Sequence, residues 1–206
     1  MFMRKTIEFA IMAAVLLIGT VALSSCSSDK NDDGSGSGGP ASTFPSEYRN
    51  ILGKYMPIYE GANPPKLDGT FLLSPDELVY TSDGAKNPGA ILDDWYIRFF
   101  NQNTSTNSIS CEGTSGSTIE TGYGSYIIGS GNNFTIFLTT ELSYKSSKDK
   151  RLTVYSGTVT ANGISNLHWG WIVTESDDPD GYLPSVGTYR IFKDGDGTSV
   201  STTWPK

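Results

Sequence analysis

The chain has 206 residues with 15 Lys and Arg against 22 Asp and Glu, a net charge of −7. No basic stripe interrupts this acidic balance, which excludes nucleic acid as a partner and leaves no electrostatic pull toward an anionic bilayer. Aromatic residues make up 12% of the chain, and the length suits one domain with a proper hydrophobic core.

A basic start (Arg4, Lys5) leads into an apolar run from Phe9 to Leu23. That run falls short of the roughly 20 residues a spanning helix needs, so it reads as a secretory signal rather than an uncleaved anchor. It closes on Leu23-Ser24-Ser25-Cys26, which resembles the bacterial lipobox. The resemblance implies that residues 1–25 are a signal peptide removed by signal peptidase II and that Cys26 is the lipidated first mature residue. Cleavage removes Arg4, Lys5 and Glu8, leaving 13 basic and 21 acidic residues. Attachment then rests on the acyl chains, which together far exceed the marginal hold of a single one. Cys111 remains as a lone thiol, read as a small half-buried hydrophobe on a strand, and the fold must stand without an internal disulfide.

Residues 26–42 comprise the lipidated cysteine and SSDKNDDGSGSGGPAS, a flexible tether too polar to repay the entropy of ordering. Its acidic patch (Asp29, Asp32, Asp33) resembles the signal that exports lipoproteins of the Bacteroidota to the outer face of the outer membrane. The alternative is a plain spacer on a periplasm-facing lipoprotein.

Residues 43–206 read as a single β domain with a short leading helix. Thr43 can cap a helix in which Phe44, Tyr48, Ile51, Leu52 and Tyr55 recur at spacings of three and four, read as a lid or plug on the β domain. Asn63-Pro64-Pro65 is a rigid extended entry, Asp68-Gly69 turns the chain, and Thr70 to Leu73 is the first strand. The block from Pro57, with Val186 to Arg190 and Phe192 to Gly197, resembles uncharacterised lipoproteins of gut-type Bacteroidota. That resemblance implies a compact, calycin-like β domain and carries over no catalytic residue.

Trp95, Ile97 and Phe99 alternate with Tyr96, Arg98 and Phe100 in a strand apolar on both faces. Tyr126 to Gly129 and Phe134 to Thr140 form a hairpin around Ser130 to Asn133. Lys145 to Arg151 reads as a charged turn, Leu152 to Thr160 as a strand with Gly157 marking a bulge, and Asn162-Gly163 as the next hairpin turn. The strands Leu167 to Thr174 and Gly187 to Lys193 and an edge near Val200 complete eight to ten strands. The expected class is all-β: an antiparallel barrel of calycin or lipocalin type, or a sandwich.

Three groups of residues are candidates for a site. Tyr96, Tyr126, Tyr155, Trp169 and Trp171 offer apolar bodies with polar handles for a glycan or small ligand, although an aromatic core has the same composition. Asp178 and Asp180 before Gly181, and Asp194 and Asp196 before Gly197, place paired carboxylates at the spacing a Ca²⁺ loop uses, although neither loop completes that pattern. His168 has no second histidine near it and reads as a strand residue; no catalytic constellation is visible, and Glu120 and Glu141 are not paired by sequence. No cofactor is called for beyond that Ca²⁺. The reading is a non-enzymatic, lipid-anchored domain that binds a glycan or small ligand; the alternatives are an accessory subunit of an outer-membrane protein complex and a hydrolase with a dispersed site.

Overall fold

The structure, a computed structural model, describes residues 44–205. The expected signal peptide, Cys26, the expected tether and the Thr43 cap lie outside the described residues. A single helix, α1 (Ser46–Leu52), precedes eleven strands. These are β1 (Gly69–Leu73), β2 (Asp76–Thr81), β3 (Ile91–Leu92), β4 (Trp95–Asn103), β5 (Ser108–Ser115), β6 (Thr118–Ser130), β7 (Asn133–Tyr144), β8 (Ser147–Thr160), β9 (Gly163–Asp177), β10 (Tyr189–Asp194) and β11 (Thr198–Thr202). The fold is all-β and antiparallel, as the patterning predicts, with eleven strands among the described residues, the short β2 and β3 pairing in their own right.

One sheet holds every strand, in the order β11-β1-β4-β5-β6-β7-β8-β9-β10-β2-β3. β11 also pairs with β9, through Thr198 to Val200 against Ser165 to Gly163, while its other edge pairs with β1. Eight strands therefore close into a hydrogen-bonded ring. Further along β9, Tyr189 to Lys193 of β10 takes over at Ile172 to His168, so β10, β2 and β3 form a leaf beside the ring rather than part of a regular barrel.

The closure explains a glycine. Gly163 has φ near +143°, and a Cβ there would overlap the Ser199 carbonyl of β11. Its freedom serves the seam as well as the hairpin, whose loop is Ala161-Asn162, one residue earlier than the sequence reading places it. Gly157 falls in the expected bulge, where the β8–β9 register shifts between Ser156 and Thr158.

Two apolar clusters divide the hydrophobic residues. Inside the ring, Leu73, Leu78, Ile97, Phe99, Phe134, Ile136, Leu138, Tyr155, Ile164 and Leu167 are fully or almost fully buried. Outside it, Phe137, Val154, Ile172 and Ile191 are covered by Phe44, Leu52 and Met56 of the helix segment. Phe44 meets Phe137 with ring centroids 5.0 Å apart. The helix thus roofs the outer wall of β7 to β10 rather than plugging an end, because that wall carries apolar side chains that a seven-residue helix can bury.

The ends of the ring differ. At the end defined by Gly69, Asn103, Gly129 and Thr160, the proline-rich entry crosses as a strap. Asn63 N donates to Gly129 O at 3.0 Å, and Gly129 N to Gly61 O at 3.0 Å. Gln102 uses both halves of its amide, accepting from Leu67 N (2.7 Å) and donating to Pro65 O (3.0 Å). Leu67, 1% exposed, belongs to the interior cluster from that side. The opposite end carries the site.

Candidate functional site

Where the leaf diverges from the ring, a pocket of about 300 Å³ opens. Trp95 (β4), Trp169 and Trp171 (β9) and Phe192 (β10) supply its apolar wall, and Arg151 (β8), Arg190 (β10), Asp76 (β2) and Asp93 its charge. Tyr144, Tyr182, Leu183 and Pro184 form the lip. The depressions at the β5–β6 surface (about 330 Å³) and beside the helix (about 430 Å³) have no tryptophan in their linings.

Strand alternation aims these side chains inward. On β9 the period of two puts Leu167, Trp169, Trp171 and Val173 on the interior face. Trp169 lies 5.0 Å from Trp95, 5.8 Å from Tyr155 and 4.7 Å from Phe192, each nearly parallel to it. Trp95 has its place because β5 carries Gly113 beneath it, where a Cβ would overlap the indole. The Trp95 N–H approaches the Tyr155 hydroxyl without making a hydrogen bond. All three indoles are at most 5% exposed, so the pocket offers no open aromatic platform.

The charged groups are held firmly. Arg151 forks onto Asp149, with Nε and Nη2 each donating at 2.7 Å, and its side chain is 5% exposed. Its guanidinium carbon lies 4.1 Å from the Trp171 ring centroid. From the strand on the other side, the Arg190 guanidinium carbon lies 5.6 Å from the same centroid, while its Nη2 donates to Asp83 at 2.8 Å. Arg190 Nε is buried without an acceptor. Asp76 Oδ1 accepts from Trp169 Nε1 at 3.0 Å. Burial, aided by the charges of Asp194 and Asp94, raises the Asp76 carboxyl to about 7 against that hydrogen bond. Near neutral pH it can therefore either donate or accept a proton.

Deeper inside the ring lies Glu120, 0% exposed, accepting from Tyr155 Oη at 2.9 Å. Burial holds its carboxyl above the usual range against the Arg151 charge and the Thr140 and Tyr155 hydroxyls. Burial likewise pushes up the thiol of Cys111, which is free and wholly buried rather than half-buried. Glu141 cannot pair with Glu120: Glu120 points inward opposite Leu142, whereas Glu141 faces out, 3.7 Å from Lys148.

Of the five aromatic candidates, the structure brings Trp169 and Trp171 to the pocket wall and Tyr155 directly behind it. Tyr126 stacks on Phe137 at 5.2 Å in the outer cluster, and Tyr96 stands half-buried on the other face of β4 from Trp95. The acidic loops are occupied by their own turns. Asp178 accepts from Ser147 Oγ (2.6 Å), Tyr182 N (3.0 Å) and Leu183 N (2.8 Å); the Ser147 bond, then those N–H groups, hold it below the usual carboxylate range. Asp180 accepts from Ser146. Asp194, buried, accepts from Ser199 Oγ at 2.8 Å, and Asp196 from Thr198 N at 2.9 Å. Among the described residues no three His, Cys, Asp or Glu side chains gather at a point suited to a metal ion. His168 Nδ1 lies 3.1 Å from Asn166 O, and burial lowers its pKa.

Comparison of the chain with protein-family models, curated proteins and solved structures finds no match. The site therefore stands on its own geometry.

Sequence reasoning missed Arg151, Arg190, Asp76 and Tyr182. The signal for Arg151 is present: Asp149, Arg151, Thr153 and Tyr155 alternate in one unbroken period of two, which β8 uses from Ser147 onward. Charge density made that stretch resemble a turn, but the turn is only Lys145-Ser146. For Asp76 and Tyr182 no local signal exists, because only the leaf and the capped loop carry them to the mouth.

Proposed function

We propose that this protein is a lipid-anchored domain of the cell envelope, held at the outer membrane through Cys26, that binds a small ligand or a glycan end in the mouth pocket. The observation that carries the binding half is the 300 Å³ concavity walled by Trp95, Trp169 and Trp171 with charged groups converging on it. Its size lies at the small end of ligand sites, suited to one or two rings. The lipobox resemblance carries the anchor, and the acidic tether supports display on the outer face.

Two measurements test this reading. Palmitate labelling of cells expressing the full chain should be lost in Cys26→Ala; retained label would remove the anchor. Titration of the full chain in detergent with small glycans and ring acids should perturb tryptophan fluorescence, since three of the four tryptophans line the pocket. Silence across such a set would remove the binding role.

A second reading has an observation of its own. Ile91, Ile119, Tyr182 and Val186 are 52–60% exposed, and each lines the pocket or lies within two residues of its lining. An apolar lip of this kind supports docking of the mouth against an outer-membrane protein. Photo-crosslinking from position 119 in cells should then trap one discrete membrane-protein adduct.

A further inference from the structure

The chemistry of the pocket narrows the class of ligand it can take. A neutral sugar bound by aromatic stacking needs an exposed ring face. Trp169 has none to spare, being 4% exposed and stacked against Trp95, Tyr155 and Phe192. Trp171 is 3% exposed and is approached by a guanidinium from each neighbouring strand. The tryptophans are walls and spacers. They hold in place a pair of arginines.

Both arginines keep unused donors. A guanidinium carries five N–H bonds in a fixed fork. Asp149 takes one from Arg151 Nε and one from Nη2, and Arg151 has no other hydrogen bond among the described residues. Asp83 takes one from Arg190 Nη2, and Arg190 Nε is buried with no acceptor. That nitrogen is closed to a water-sized atom, so the donors left for a ligand are the remaining Nη hydrogens of the two guanidinium groups that line the pocket. Asp149 and Asp83 hold the two forks in position, so little side-chain freedom is lost on binding. Asp76, raised to about 7, puts less negative charge in the pocket than a free aspartate would, and Asp93 is the other carboxylate of its lining. At the mouth, Tyr182 is 52% exposed and Lys145 Nζ lies over its ring, 4.1 Å from the centroid, which adds a further cation there.

We propose that the pocket selects a six-membered ring bearing a carboxylate, the carboxylate accepting from Arg190, with Arg151 adding positive charge across Trp171 and the ring lying against the Tyr144–Tyr182 lip. This rests on the mouth pocket being the binding site. A uronic acid unit of a glycan and a free cyclic acid share this chemistry.

The test is calorimetric titration of the full chain in detergent with digalacturonate, digalactose and cyclohexanecarboxylate. Digalacturonate should bind at least tenfold more tightly than digalactose. Arg190→Gln should remove that preference while leaving the melting temperature within a few degrees; because Arg190 also pairs with Asp83, Arg190→Lys serves as a second variant that keeps the charge and loses the fork. Cyclohexanecarboxylate binding as well as digalacturonate assigns the site to free acids, and weaker binding assigns it to uronic glycans; both support the proposal. Equal affinity for digalacturonate and digalactose overturns carboxylate selection and leaves the pocket reading standing. No heat and no fluorescence change with any of the three overturns both.

Discussion

At the strapped end of the ring, the crossing chain is tied down by hydrogen bonds to the strands beneath it. Gln102 answers Leu67 N and Pro65 O, Gly129 answers Gly61 and Asn63, and Leu67 closes the interior with an apolar side chain. At the mouth the ring and the leaf together bury an ion pair, a carboxyl raised to about 7 and an arginine nitrogen without an acceptor. The first end is built as a core is built. The second keeps interactions unfinished, which a stable fold tolerates only in a few places and which ligand sites need. The difference is what sets the candidate site apart from the rest of the ring.

The largest expected break in this contrast is at Arg151. Arg151→Ala strands the Asp149 carboxyl, whose side chain is 0% exposed, and should destabilise the fold by about 3–5 kcal/mol in urea unfolding. Replacing both residues, as Arg151→Met with Asp149→Leu, should recover most of that loss while abolishing binding of the ring acid. If the pair contributed stability in its own right, the double replacement would stay as unstable as the single one.

Asp76 should reveal the mouth through pH. Its folded pKa of about 7 lies above the ordinary value of 3.8, so folding takes up a proton in between. The stabilisation is complete below pH 4 and is lost as pH rises through 7, a swing of as much as about 4 kcal/mol for a shift of this size. The groups setting it are Asp194 and Asp94, which raise the pKa, and the Trp169 N–H, which lowers it; Asp93, Arg151 and Arg190 line the same pocket. Asp76→Asn should match the parent near pH 4 and exceed it at pH 8. Parallel stability curves across that range would mean that Asp76 titrates as an exposed carboxylate.

The smallest of the three effects lies at the strapped end. Leu67→Ala should cost about 3 kcal/mol through the cavity it leaves, yet leave digalacturonate affinity within about twofold. A matching loss of affinity would mean that the two ends are mechanically coupled and that the contrast is too simple.

Much of the architecture was legible in local pattern. Alternation at Trp95-Ile97-Phe99 and at Phe134-Ile136-Leu138 marked strands, and both sets do face the interior. The Gly157 bulge and the hairpin between β6 and β7 also came from residue type. Position along the chain was less secure where charge imitated a loop, as at Lys148 to Arg151. Within the site, Trp169 and Trp171 were legible as aromatic strand residues, but their burial as walls was not, since periodicity shows which residues share a face and not what that face meets.

The sequence by itself therefore determined the all-β antiparallel class, the short leading helix, the rigid entry segment and the two candidate tryptophans, because each depends on spacing of two or on the dihedral limits of Pro and Gly. Tertiary structure alone decided that β11 seals the ring between β1 and β9, that the helix covers the outer wall at Phe137 rather than an end, and that the acidic loops satisfy their own turns. It alone also brought Asp76 to one mouth with Arg151, Trp171, Tyr182 and Arg190, which lie far along the chain from it. Local preferences act over a few bonds. A pocket depends on which distant strands pair, and that is settled only when the whole sheet closes.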